Sequence, residues 1–234
     1  MYRRKVGRQT LTFGVSGMLY KDALLMFDRE TGTVWSHITG VALSGPMKGK
    51  QLARFAAVPQ VAWKAVLKAA PNVQVLSYGG KEAALVDSYA GYARNRKALG
   101  ISGRRKADPR LPGKSLVVGI VLRERALAVP WSALGDEGVV NADLHGAPLV
   151  VARSKDAGLS VAYSRKVKGR TLEFEPRLID GRLRDKTTGT LWNLVHGVGV
   201  SGPLTDAKLE SIPFVNVYWF AWADYYRQTE VFTK

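Results

Sequence analysis

The sequence predicts an α+β fold rich in β-structure: two repeated units of mostly antiparallel sheet, each with a short amphipathic helix, related by a pseudo-two-fold axis. Three observations predict it. A block of residues recurs once along the chain. Apolar runs of strand length are punctuated by Gly, Pro and Asp turn signals. One apolar stripe of helical spacing follows the repeated block in each unit.

The repeat is the anchor. Gly32-Thr33-Val34-Trp35 recurs as Gly189-Thr190-Leu191-Trp192, and Ser44-Gly45-Pro46 as Ser201-Gly202-Pro203, at one offset of 157 residues (189 − 32 and 201 − 44). Eight of the fifteen positions from Gly32 are identical, and Asp28 falls on Asp185 in the same frame. Upstream, Tyr2, Arg4, Lys5, Val6, Leu11 and Phe13 fall on Tyr163, Arg165, Lys166, Val167, Leu172 and Phe174 at an offset of 161, so the second unit is four residues shorter between Phe174 and Asp185. The segment from Gly14 to Tyr20 is therefore the largest difference between the units, and the first place to look for a site.

The other elements follow in order. Trp63, Val66, Leu67 and Ala70 form one helical stripe, and Trp219, Trp222, Ala223 and Tyr226 the other, each expected to be buried. A short strand, 73–78 or 230–233, is expected to close each unit. In front of the second unit, Ser115 to Leu122 reads as a buried strand, Ala126 to Leu134 as a strand running into a short helix at Pro130, and Val139 to Ala152 as two strands. Leu159 to Arg165 is expected to pair with Arg170 to Glu175 across Val167-Lys168-Gly169. Nothing in the first unit matches 114–162. The expected organisation is a first, N-terminally incomplete unit over 1–80, a basic linker or long loop over 81–113, and a second, complete unit over 114–234. The missing strands predict either a lopsided structure or one exposed sheet edge in the first unit, and an exposed edge invites self-association.

Composition bounds the chemistry. The formal net charge is +16 over 234 residues, which favours polyanionic partners. The cations Arg94, Arg96, Lys97, Arg104, Arg105 and Lys106 cluster in the linker. They are the candidates for polyanion or nucleic-acid binding, although no nucleic-acid motif accompanies them, and a solvated face is the plainer alternative. The chain has no cysteine, which excludes disulfides, thiolate nucleophiles and Cys-ligated zinc. No apolar run approaches the roughly 20 residues that cross a bilayer. No nucleotide-binding glycine loop is present, and no cofactor or metal is expected.

At Leu11-Thr12-Phe13-Gly14-Val15-Ser16-Gly17-Met18-Leu19-Tyr20, Met26 to Trp35, Arg110-Leu111-Pro112-Gly113-Lys114 and Tyr218 to Trp222, the sequence resembles the bacterial and archaeal domain-of-unknown-function family 3179 over nearly its whole length. The resemblance implies no established activity. It implies an export or lipoprotein signal in many relatives, and a Cys-Pro-Leu-Cys motif that would lie before residue 1 here. The chain is therefore expected to lack the family's Cys-containing segment. The expected location is cytoplasmic for the chain as it stands, and extracytoplasmic with an upstream signal.

Five residues are weak catalytic candidates: Ser16, Tyr20, Asp28, Glu30 and His37. Asp28 and Glu30 form a carboxylate pair suited to acid–base work, but an Asp four residues before a Gly also opens a turn, and Thr187 replaces Glu30 in the second unit. Ser16 lies one residue short of a nucleophile elbow, and a bulged hairpin is its bland reading. His37, His145 and His196 share no ligand spacing. The tryptophans are expected in the core rather than on a stacking platform. The leading expectation is a non-catalytic binding or scaffold domain. The rivals are a hydrolase- or isomerase-type enzyme, which requires the first-unit candidates to converge in one pocket, and a polyanion binder.

Overall fold

The structure is a computed structural model, and it describes residues 1–55, 61–75, 79 and 90–233. A tight hairpin of β1 (Lys5–Val6) and β2 (Gln9–Thr10) leads into a four-stranded antiparallel meander of β3 (Phe13–Tyr20), β4 (Ala23–Asp28), β5 (Val34–Ser36) and β6 (Ala42–Ser44). Two short helices follow, α1 (Trp63–Ala69) and α2 (Ala90–Arg94). The chain then builds β7 (Leu116–Leu122), β8 (Arg125–Pro130) and α3 (Trp131–Leu134). A three-stranded meander comes next, of β9 (Val139–Leu144), β10 (Ala147–Ser154) and β11 (Leu159–Ser164). The hairpin β12 (Lys166–Val167) and β13 (Arg170–Thr171) precedes the sheet of β14 (Arg182–Arg184), β15 (Leu191–Asn193) and β16 (Gly199–Ser201). Finally β17 (Phe214–Tyr218), α4 (Trp219–Tyr225) and β18 (Glu230–Val231) complete a sheet of order β17-β7-β8-β18, in which only β18 runs parallel to its neighbour. Among the described residues no helix is long and apolar enough to cross a membrane.

The apolar run of β10 is buried on both faces. Val150 and Ala152 pack with Leu172, Phe174 and Trp192 on one side, while Leu149 and Val151 pack with Val118, Leu127 and Phe214 on the other. A strand enclosed between two layers needs no polar alternation. The third layer is α4. Trp219, Trp222 and Ala223 lie on Val117, Ala126 and Ala128 of β7 and β8. Gly119 makes this possible, because a Cβ there would meet the Trp222 ring at 2.4 Å.

Three expectations are corrected. Leu159 to Ser164 pairs with β10, not with the segment after it. Only Lys166–Val167 and Arg170–Thr171 form the tight hairpin, because the left-handed pair Lys168-Gly169 turns the chain within two residues. The α1 stripe is not a core stripe. Trp63 is 51% and Leu67 41% exposed, whereas Trp219 and Trp222 are buried. A stripe is buried only where a sheet face is present to receive it, and α4 has β7 and β8 beneath it. The closing strand of the second unit is the short β18, while Val73–Val75 carry no strand and 76–78 lie outside the described residues.

The first unit does have a sheet edge at β3, with Val15, Met18, Leu19 and Tyr20 exposed. The edge is broken by a register shift between Val15 and Leu19. Ser16 Oγ holds this bulge, donating to the Leu25 carbonyl at 2.7 Å and accepting from the Met18 N–H at 3.1 Å. A bulge is a common way of making an edge a poor template for another strand.

Candidate functional site

The four extra residues of the first unit lengthen the β3–β4 hairpin, and its tip forms one wall of a cavity of about 570 Å³. Leu19, Asp22, Ala23 and Leu24 come from the hairpin, His37 and Ile38 follow β5, and Val217, Tyr218, Phe220 and Ala221 come from β17 and α4. Tyr92 of α2 and the loop residues Gly100 and Ile101 complete it. Among the described residues between the repeats, Tyr92, Leu99 and Gly100 are packed into this region. Leu99 is buried with Phe220 and Ala221, and Lys114 Nζ donates to the carbonyls of Tyr92 and Asn95 while lying over the Tyr92 ring.

The cavity is mainly apolar, with a small polar set. His37 Nδ1 lies 2.6 Å from the Leu24 carbonyl oxygen. A carbonyl only accepts, so Nδ1 carries the proton and donates it there, which leaves Nε2 for a second partner. Tyr92 accepts the Gly100 N–H at 3.1 Å, and burial raises its phenol above the ordinary range, against the opposing effect of that hydrogen bond. Tyr92 meets Tyr218 edge-on at 6.4 Å between ring centroids, and Tyr218 stacks on Phe220 at 6.1 Å. Asp22 accepts the Ile101 N–H at 3.2 Å and forms an ion pair with Arg105, which also pairs with Asp224. Gly100 is required beside it: its φ is +70°, and a Cβ would meet Asp22 Oδ2 at 2.5 Å.

Of the five sequence candidates, only His37 lines this cavity. Ser16 is spent in the bulge. Tyr20 packs edge-on against Tyr225, and its carbonyl accepts the Tyr225 hydroxyl at 2.7 Å. Glu30 accepts the Thr12 N–H at 2.8 Å, and that bond holds its carboxyl below the usual range. Asp28 is fully buried and closes its own turn, accepting the Thr31 N–H at 2.6 Å and the Trp35 indole N–H at 2.8 Å. Burial opposes its charge, but the bonds from Trp35, Thr31 and the backbone outweigh this and leave its carboxyl below the usual range. Asp185 repeats the set, with Thr188 N–H at 2.6 Å and Trp192 Nε1 at 2.8 Å. The convergence that an enzyme site requires does not occur among these five residues.

Asp22 was missed by the sequence reading. It lies two residues beyond the Gly14–Tyr20 segment, at the hairpin turn, and the signal available was that neighbourhood alone. Among the linker cations, Arg105 is half-buried and paired with two aspartates. Arg94, Arg96, Lys97, Arg104 and Lys106 are exposed.

The family described as "Protein of unknown function (DUF3179)" matches residues 1–229. Neither a curated protein nor a solved structure matches the chain. The residues that line the cavity and the Asp–Thr–Trp turns all lie inside the matched span, and the chain belongs to the DUF3179 family.

Proposed function

We propose that the chain is a non-catalytic binding domain whose seam cavity holds a small, mainly apolar molecule with one hydrogen-bond donor. The observation that carries this reading is His37, anchored through Nδ1 to the Leu24 carbonyl and lining a mainly apolar volume of about 570 Å³. Sites of this kind combine apolar walls with a few placed polar groups. The aromatic row of Tyr92, Tyr218 and Phe220 supplies a flat face for a ring. Support for binding over hydrolysis or isomerisation comes from the commitment of Ser16, Asp28 and Glu30 to backbone partners elsewhere. The two units, 1–80 and 114–234, are read as pseudo-two-fold copies, with the ligand cavity created where the first departs from the second.

The probe for the test is p-cresol, an aromatic ring with one hydroxyl donor. Titration followed by NMR is expected to shift the His37 imidazole and Tyr218 resonances saturably. Ile101 is 80% exposed at the cavity mouth, so Ile101→Trp blocks entry with little effect on stability and is expected to abolish the shifts. His37→Phe keeps the volume but removes the acceptor, and should weaken binding by about five-fold or more, the value of one neutral hydrogen bond. Shifts that survive Ile101→Trp, or no saturable shift at all, would falsify the reading.

A further inference from the structure

On the other side of the Arg105 bridge lies a second cleft, of about 800 Å³, between two hairpin tips and the chain after α4. Its character is opposite to that of the first. Lys21 comes from the β3–β4 tip, Arg123, Glu124 and Arg125 from the β7–β8 tip, and Arg227 from the turn after α4. We propose that this cleft is a binding site for a small soluble molecule carrying two or more phosphate charges, gripped by Arg123, Arg125 and Arg227.

The first argument is charge without partners. Of the three carboxylates lining the cleft, Asp224 pairs with Arg105, Glu230 lies 2.7 Å from the His145 imidazole, and Glu124 has no ion pair among the described residues. The guanidiniums of Arg123, Arg125 and Arg227 have no hydrogen bond, ion pair or ring contact among the described residues, and all three residues are exposed. Like charges around one concavity repel one another and raise the local potential, which an entering anion relieves. Guanidinium forks match phosphate oxygens bidentately.

The second argument is the backbone of the two tips. Lys21-Asp22 and Arg123-Glu124 both take left-handed conformations at two successive residues, with φ of 53° and 58°, and of 46° and 67°. Such turns favour glycine at the second position, and three other tips of the chain have it, at His145-Gly146, Lys168-Gly169 and Asp180-Gly181. Among the described residues, only the two tips bordering this cleft carry a charged side chain there instead. Asp22 is accounted for by Arg105 and Ile101. At the β7–β8 tip, Arg123 and Glu124 make no side-chain hydrogen bond, ion pair or ring contact among the described residues, yet the two-residue turn between Leu122 and Arg125 holds them in a conformation costing on the order of 1 kcal/mol or more per residue. A charged side chain kept where the turn favours glycine is a candidate for a ligand role.

The test is calorimetric titration of the full chain with inorganic pyrophosphate at low and at physiological ionic strength. Saturable one-to-one binding is expected. Arg125→Ala and Arg227→Ala should each weaken it about ten-fold or more, the value of a charge-assisted hydrogen bond. Glu124→Gln, which removes the unpaired carboxylate, should tighten it. Arg96→Ala, an equal loss of charge on the linker, should leave it within roughly two-fold because a distant exposed charge is screened. Absence of saturable heat, or equal weakening by Arg96→Ala and Arg227→Ala, overturns the proposal, since either outcome reduces the effect to the diffuse attraction of a basic surface. Binding to phosphatidylglycerol vesicles without binding to pyrophosphate overturns it as well, by making the target a lipid surface.

Discussion

Asp28→Ala and Asp185→Ala are each expected to lower stability by about 2–4 kcal/mol, because each removes a buried carboxylate and strands the donors bonded to it. The stranded group is large in both cases: Trp35 and Trp192 are fully buried, and their indole N–H groups have the aspartate as acceptor at 2.8 Å. For a chain of this size the expected loss in melting temperature is about 5–15 °C. The pH dependence carries the same information. The folded-state Asp28 carboxyl lies below its ordinary value of 3.8. Its stabilisation is therefore complete above the unfolded-state value and is lost as pH falls through the folded-state value. Denaturation midpoints measured across this acid limb should fall steeply for the wild type and less steeply for Asp28→Asn. If Asp28→Ala kept its stability while Asp185→Ala lost it, the first carboxylate would be held for function, and the structural reading of the turn would be wrong.

Trp222→Ala should be as damaging, at about 3–5 kcal/mol, since a fully buried indole leaves both its transfer energy and a cavity behind. Trp222 lies flat over Gly119, and its N–H reaches the Thr229 hydroxyl at 3.0 Å. The two positions are coupled by shape. Gly119→Val alone places carbon atoms inside the indole ring and should cost about 1–3 kcal/mol or more as overpacking. Combined with Trp222→Ala, the added side chain occupies part of the space the indole vacates, so the double variant should be more stable than the sum of the two single losses. Chemical denaturation of the four proteins measures the coupling. Strict additivity would mean that the helix floats on the sheet rather than keying into it.

The comparison of sequence with structure turns on particular residues. The Asp–Thr–Gly–Thr–Trp turn was legible because its hydrogen bonds are local: Asp28 to Thr31 and Asp185 to Thr188 span three residues. The strands of the second unit were legible for the same reason, since apolar run length and left-handed turn residues act over short distances. The fate of α1 was not. Its stripe matches that of α4 in spacing, yet Trp63 is half exposed while Trp219 is buried, because periodicity states which face of a helix is apolar and not whether a surface exists to cover it. The pairing of β11 with β10 was likewise a choice between two antiparallel neighbours that both satisfy its pattern.

The site divides along the same line. The sequence by itself determined where the units differ, at the hairpin between Phe13 and Asp28, which residues close their own turns, and that the surface is strongly basic. Only the tertiary structure decided that the hairpin tip meets α4 across Arg105, that His37 and Asp22 share a wall with Tyr92 and Tyr218, and that Arg123 and Arg227 border one cleft. Those residues lie far apart in the chain. Their meeting depends on how sheets and helices stack, which is set by the summed burial of many side chains rather than by any local pattern.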